Sequence, residues 1–464
     1  MAALLSKERT VAATNYNRWL IPPSALATHL CIGQVYALSV FNLPLTRQLG
    51  ISHSLPEDWK LTQLGWIFTI AIFVLGASAA VFGKWVQEQG PRKSGFVAAL
   101  CWSLGFLVGA LGIHLHQLWL VYLGYGVIGG CGLGIGYITP VSTLIAWFPD
   151  RRGMATGMAI MGFGGGALIA SPLSDQLMKH FASATSSGIP ETWVVLGLLY
   201  LAFMMAGAFG YRVPPSNFSP AGWQEPPAKA REMITHSNVT PSEAIHTRQF
   251  WLLWVVLCFN VTAGIGVLSQ ASAMIQEVFK GRITASGAAG FVGLLSLFNL
   301  LGRFAWASLS DKIGRKATFA CFFTLGPVLY ALVPLAGRSG SVALFVSCAV
   351  LILSMYGGGF ATIPAYLADI FGPKYVSAVH GRLLTAWSAA GVLGPVLVNY
   401  IRQFQVEHGV PQYQAYNATM YIMAALLVVA FFANLAVSPV SPEHAERGAP
   451  GPRPRTPTPQ PAHT

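Results

Sequence analysis

Charge is scarce in this sequence. Asp, Glu, Lys and Arg make up 9% of its 464 residues, where soluble domains carry about a quarter. Hydrophobic residues make up 54% and the mean hydropathy is +0.55. A soluble enzyme or nucleic-acid-binding protein is excluded on that balance, even though the net charge is +12, because such an excess has to be weighed by where it falls. Cysteine is also sparse. Cys31, Cys101, Cys131, Cys258, Cys321 and Cys348 lie at irregular spacing inside apolar segments, which fits neither a disulfide framework nor a metal site. No apolar core followed by a small-residue cleavage site occurs in MAALLSKERTVAATNYNRW, so the first hydrophobic helix is expected to be retained. Acidic residues are missing from the middle of every apolar run. All sixteen lie in loops, tails or helix ends, Asp175 and Asp369 being the deepest.

What the chain has instead is long apolar runs. They cover residues 21–46, 62–83, 95–114, 118–147, 153–180, 193–212, 248–278, 284–308, 317–337, 341–370, 379–402 and 417–437, each long enough to cross a bilayer core of about 30 Å as a helix. The expected fold is an all-α membrane protein with twelve transmembrane helices in two six-helix halves. Its parts are an N-terminus at 1–20, a first half at 21–212, a linker at 213–247, a second half at 248–437 and a Pro-rich, disordered tail at 438–464. The linker suggests a short helix around AKAREMI. Nineteen of the 28 Lys and Arg fall on the side that carries both termini, seven fall opposite and two lie within helices. The positive-inside rule then makes both termini cytoplasmic in a plasma or inner membrane, where the sequons at Asn217 and Asn238 are out of reach of glycosylation.

The halves repeat. Gly90 precedes Gly314 by 224 positions, Pro140 precedes Pro364 by 224, and the pairs Phe148 and Phe371, Tyr137 and Phe360, and Pro172 and Pro395 are each 223 apart. A constant offset of this kind marks carriers that rock two halves about a central site. The halves differ at Arg303, in LSLFNLLGRFAWASLSDKIGRK, which has Ala79 as its counterpart. It lies eight residues before Asp311, about 12 Å into the membrane, where a charge costs roughly 3 kcal/mol or more without a partner or a wet cavity. No mid-membrane acid is evident to pair with it, which leaves room for a bound anion as counter-ion. The alternative is a lower placement, with Arg303 joining Asp311 in the loop cluster. The glycine clusters GGCGLGIG and GFGGG lack a preceding strand and a phosphate-loop lysine and read as helix-packing surfaces.

Twelve spans, the copies GKWVQEQGPRK and ASLSDKIGRK after helices 2 and 8, and a long linker resemble the major facilitator superfamily. Within it, GQVYALSVFNLP, AWFPDRRGMATGMAIMGFGGG, TRQFWLLW, GRFAWASLSDKIGRK and DIFGPKY are similar to the oxalate/formate antiporter family, itself similar to the monocarboxylate transporters. The resemblance implies that Arg303 binds a substrate carboxylate, a planar group suited to a guanidinium. It places Tyr36, Tyr137 and Tyr356 at the site, with Gln34 beside it. Asn299 stands where the monocarboxylate transporters have an aspartate, and Trp387 where the antiporter has a lysine. Phe163 and Phe360 replace tyrosines. One cation and a more apolar cavity favour a monocarboxylate over an oxalate-like dianion.

His380 shares a helix face with Trp387, and His29 shares one with Tyr36. Both are candidates for carrying a proton, with a plain packing role as the alternative. Arg382 is expected at a gate, paired with Asp369, or else on the substrate. By the same resemblance Gly83, Arg92, Asp311, Gly314 and Arg315 gate the cytoplasmic side, and Gln87 replaces the usual acid in the first copy. The expected function is alternating-access transport of small organic anions by a monomer, proton-coupled or by exchange, with no enzymatic activity, no cofactor and no metal. The alternatives are a carrier of a neutral solute or drug in which Arg303 is structural, and a membrane sensor that binds such an anion without moving it.

Overall fold

The computed structural model describes residues 2–51, 53–216, 218–220, 222–223, 233–235 and 237–446. Most of the AKAREMI segment, the sequon at Asn217 and the tail beyond 446 lie outside the described residues.

Twelve helices long and apolar enough to span a membrane run through the described chain. They are α1 (Arg18–Phe41), α2 (Leu61–Gln89), α3 (Pro91–His114), α4 (Leu118–Trp147), α5 (Arg152–Phe181) and α6 (Ile189–Gly210). The second six are α7 (Arg248–Val278), α8 (Ala285–Ile313), α9 (Arg315–Arg338), α10 (Val342–Phe371), α11 (Val376–Glu407) and α12 (Asn417–Leu435). Their ends follow local chemistry. Thr247, Thr284 and Ser341 cap α7, α8 and α10 by accepting a hydrogen bond from the amide three residues on, which satisfies an otherwise orphaned donor. Pro91 and Pro190 open α3 and α6, where a missing N–H costs nothing. Gly90 and Gly314 take φ of 82° and 89° with nearly the same ψ, a conformation closed to residues with a Cβ. The two loop copies therefore share a backbone as well as a spacing.

Three spans are irregular in ways the apolar runs do not reveal. In α1, the α-helical Ile21–Ile32 continues as a 3₁₀ helix over Gly33–Phe41. In α4, Tyr122–Gly129 is a π-helix. In α11, Val376–Leu383 and Thr385–Glu407 meet at a break at Leu384.

The halves meet along two seams. One packs α5 on α8 and α10; the other packs α2 on both parts of α11. The described parts of both termini lie at one end of the bundle. Thr10 and Ala12 exchange backbone bonds with Val213, and the amide of Glu446 bonds to the carbonyl of Asn238. Large apolar side chains such as Trp66, Phe73, Phe203 and Phe432 remain more than half exposed, as expected for surfaces that face lipid.

Candidate functional site

Arg303 sits in the middle of α8 with 0% of its surface exposed. Its Nε donates to Asn299 Oδ1, one turn earlier, at 3.1 Å, and Nη1 reaches the Ile160 carbonyl at 3.5 Å. Nη2 has no partner. The guanidinium lies 5.6 Å from the Phe163 ring of α5 and 5.2 Å from the Phe360 ring of α10, so one aromatic face from each half flanks it. Such contacts contribute about 2 kcal/mol when desolvated, less than the cost of burying the charge. No carboxylate bonds to it among the described residues. The lower placement beside Asp311 is not what the structure shows.

An aromatic layer surrounds this charge. Trp387 of α11 packs 4.4 Å from Phe360, 5.4 Å from Phe163 and 5.2 Å from Tyr137 of α4. Tyr36 of α1 packs 5.1 Å from Phe163, and its hydroxyl meets that of Tyr356 of α10 at 2.9 Å. That bond crosses between the halves. His29 stacks on Tyr137 at 5.2 Å with Nε2 on the Tyr137 carbonyl at 3.1 Å, and His380 approaches the same ring at 5.9 Å. The Tyr137 hydroxyl, Trp387 Nε1, His29 Nδ1 and both nitrogens of His380 are buried without partners. Buried polar atoms are almost always satisfied, and these unpartnered ones gather around one ring next to the central charge.

Arg303, Asn299, Tyr36, Tyr137, Tyr356, Trp387, His29 and His380 are thus brought together as the sequence suggests. Gln34 is not with them: its Oε1 accepts from Tyr125 at 2.9 Å, and Tyr125 belongs to the interior of the first half beside Trp102, Phe106 and Trp193. A cavity of about 220 Å³ opens between the halves toward the end opposite the termini, bordered by Tyr36, Ser39, Asn42, Thr69 and Ser269. Tyr36 is common to this cavity and to the layer around Arg303.

At the terminus-bearing end the first seam is closed by charge. Asp369 of α10 accepts from Arg152 of α5 at 3.0 Å and from Arg315 of α9 at 2.9 Å. Asp311 of α8 accepts from the amides of Gly153 and Met154 at 2.8 and 2.9 Å and pairs with Arg315 at 2.7 Å. A carboxylate on the first amides of a helix is favoured by their unused donors and by the helix dipole. Arg152 was not evident from sequence. The available signal was the pair of arginines in PDRRG, placed where a basic residue could meet the acid left over in the second half.

The expected pair of Arg382 and Asp369 does not form. Arg382 donates to the Pro241 carbonyl rather than to Asp369, because Asp369 already holds two arginines. Arg92 donates to the Leu4 carbonyl at 3.1 Å and lies 5.9 Å from the Phe209 ring, so it ties the N-terminal segment to its own half. Gly83 lies on the second seam, where an added Cβ would come within 2.9 Å of Ala378 Cα. No group of three or more His, Cys, Asp or Glu among the described residues could hold a metal.

The family model for the Major Facilitator Superfamily matches residues 24–303 and 271–462. The oxalate:formate antiporter of Oxalobacter formigenes is 28% identical over 379 residues, covering 82% of this chain and 83% of that protein. Apicoplast pyruvate carrier 1 of Toxoplasma gondii is 25% identical over 438 residues, covering 83% and 77%. Among solved structures, the transporter FucP in the outward conformation aligns with a TM-score of 0.64 at 14% identity, over 91% of this chain and all of that one. With the repeated halves, the twelve spans and the central charge already in view, this chain belongs to the Major Facilitator Superfamily, a superfamily of membrane transporters.

Proposed function

We propose that this transporter carries small organic anions by alternating access, that a monocarboxylate suits it better than an oxalate-like dianion, and that Arg303 is the carboxylate ligand. The observation that carries the reading is a fully buried guanidinium with an unpartnered Nη2 and no acidic partner among the described residues. A bound carboxylate supplies the missing charge and accepts the unused donors, an exchange that gains most where water is excluded. The neighbouring orphans, Tyr137 Oη and Trp387 Nε1, then face the rest of the substrate, while Phe163 and Phe360 limit it to something small and flat. Two relatives bear names for small carboxylates, an oxalate:formate antiporter and a pyruvate carrier. Their chemistry supports this reading at the level of substrate class.

In this reading both termini are cytoplasmic in the plasma membrane, and the charged seam is the cytoplasmic gate in its closed position. Asp311, Gly314, Arg315 and Asp369 form it with Arg152. His380, with two unpartnered nitrogens beside Tyr137, and His29 are the groups available to a coupling proton. Counterflow in proteoliposomes tests the proposal with formate, lactate, pyruvate, oxalate and succinate, with and without an imposed pH gradient. Accumulation of at least one monocarboxylate, lost in Arg303→Ala, is expected. No accumulation of any anion, or full activity in Arg303→Ala, overturns it.

A further inference from the structure

The two loop copies end differently, and the difference leaves an unfilled place. In the second copy Asp311 crosses to the first half and receives the Gly153 and Met154 amides at the start of α5. By the 224-residue offset its counterpart is Gln87, and by the 223-residue offset the amides' counterparts are those of Val376 and Ser377 at the start of α11. The shared backbone at Gly90 and Gly314 makes the comparison direct. Gln87 does not cap α11: its Oε1 has no partner. Tyr375, at the N-cap, provides no side-chain bond, and the Val376 amide reaches only the Pro373 carbonyl at 3.5 Å. Asp369 has no acidic counterpart either, since Ile145 and Ala146 stand there.

A cavity of about 160 Å³ lies at this point, bordered by Lys7, Gln87, Ala146, Lys374 and Ser377. Ser377 is 4% exposed, and its hydroxyl has no hydrogen-bond partner. Among the described residues, Lys7 bonds only to the backbone carbonyl of Gln87, at 2.9 Å, and pairs with no carboxylate. Lys374 is engaged by Glu446 at 2.7 Å. The nearest acid on the loop, Glu88, faces Lys84 at 3.7 Å.

We propose that a small monoanion, chloride or a short carboxylate, binds here from the terminus-bearing side. It receives the α11 amides, the Ser377 hydroxyl and Lys7, and it does at the second seam what Asp311 does at the first. The closed state of that end then depends on the anion, because opening pulls α2 and Gln87 away from α11 and dismantles the site. The site is separate from Arg303 and stands whether or not Arg303 binds substrate.

A conformational readout tests it without transport. Spin labels at Lys93→Cys and Lys312→Cys, with native cysteines replaced, report the separation of the halves at this end in nanodiscs of neutral lipid. Chloride or acetate is titrated against gluconate at fixed ionic strength, in otherwise native protein and in an Arg303→Ala background. Either anion is expected to raise the closed-to-open ratio about fivefold, the low end of an ordinary coupling between sites, and to do so in both backgrounds. A chloride-only response assigns the site to the medium's anion, and an acetate-only response assigns it to a carboxylate; either supports the proposal. Gln87→Asp supplies the acid covalently and should be closed without added anion and insensitive to it. Lys7→Gln should require more anion for the same shift. An anion-insensitive native protein, or a Gln87→Asp protein as sensitive as the native one, overturns the proposal. A response that disappears only with Arg303→Ala assigns the effect to the central site and also overturns it.

Discussion

The two seams between the halves close the same end of the molecule by different physics. On the α5–α8–α10 side, Asp311 and Asp369 hold Arg152, Arg315 and two backbone amides. On the α2–α11 side there is no ion pair between the helices among the described residues, and small residues bring the backbones into direct contact. A Cβ at Gly381 would fall 2.1 Å from the Ala79 carbonyl oxygen, and Ser388 Oγ donates to the Phe73 carbonyl at 2.9 Å. Charge acts over several ångströms and weakens gradually; van der Waals contact is lost within about one. A duplicated chain has therefore specialised its two edges, one for electrostatic latching and one for steric fit.

The comparison can be broken at the centre, on either edge, or at the periphery. Arg303→Ala removes the buried central charge, which the repeat does not duplicate, and anion counterflow should fall by about two orders of magnitude or more. The loss of a charged hydrogen-bonding partner from a buried site costs several kcal/mol. Arg303→Lys should retain a small part of the rate, since a lysine keeps the charge without the planar fork.

Asp369→Asn attacks the charged seam alone. It leaves Arg152 and Arg315 short of an anion, and breaking a buried pair from one side costs about 3 kcal/mol. The closed-to-open ratio at the terminus-bearing end should drop roughly a hundredfold, seen as faster labelling of a cysteine introduced beside Arg152. Gly381→Val attacks the close-packed seam alone. Overpacking of this kind costs typically about 1 to 3 kcal/mol, so the same labelling assay should show about a tenfold shift. If Gly381→Val matches the native protein while Asp369→Asn opens it, the second seam contributes little to closure.

The smallest effect is at the surface, where the last described residues dock beside the second seam. Glu446 pairs with Lys374 and accepts from Tyr375 at 2.8 Å. These contacts lower the Glu446 pKa below the usual carboxylate value, and Glu446 in turn raises that of Lys374. A carboxyl with a lowered pKa stabilises docking at every pH above its ordinary value, and that contribution fades as pH falls through the lowered one. Hydrogen exchange of the Glu446 amide, which donates to the Asn238 carbonyl at 2.8 Å, should therefore stay protected through the ordinary carboxylate range and speed up only below it. Glu446→Gln should remove that pH dependence while leaving transport nearly unchanged.

Much of this molecule was legible in its sequence. Long apolar runs report spans because a bilayer admits little else, and Arg303 declared itself by being costly and unduplicated. Pairing was harder to read. Asp369 and Arg382 are thirteen positions apart and opposite in charge, yet Asp369 faces Arg152, 217 positions away on the other half. A sequence shows that an acid needs a base but not which helix face the fold turns toward it. Gln34 and Tyr36 are two residues apart and point to different places, one to Tyr125 and one to Tyr356. Residues two apart face about 200° apart in an α-helix and about 240° apart in a 3₁₀ helix, so either winding sends the two side chains different ways. The two rings flanking the guanidinium were visible only as hydroxyls lost, not as the aromatic faces they present.

The 3₁₀ stretch of α1 has a mechanical meaning as well. A 3₁₀ helix turns about 120° and rises about 2.0 Å per residue, against about 100° and 1.5 Å in an α-helix. Over the nine residues of Gly33–Phe41, that amounts to roughly half a turn of excess winding and about 4.5 Å of excess length. If the stretch relaxed to α winding from its first residue, Tyr36 would swing by about 60° and its hydroxyl would leave Tyr356. Gln34 lies in this overwound stretch, and its partner Tyr125 lies in the underwound π-helix of α4. A single hydrogen bond thus joins an overwound stretch of the first half to an underwound one, so rewinding α1 would also pull Gln34 away from Tyr125.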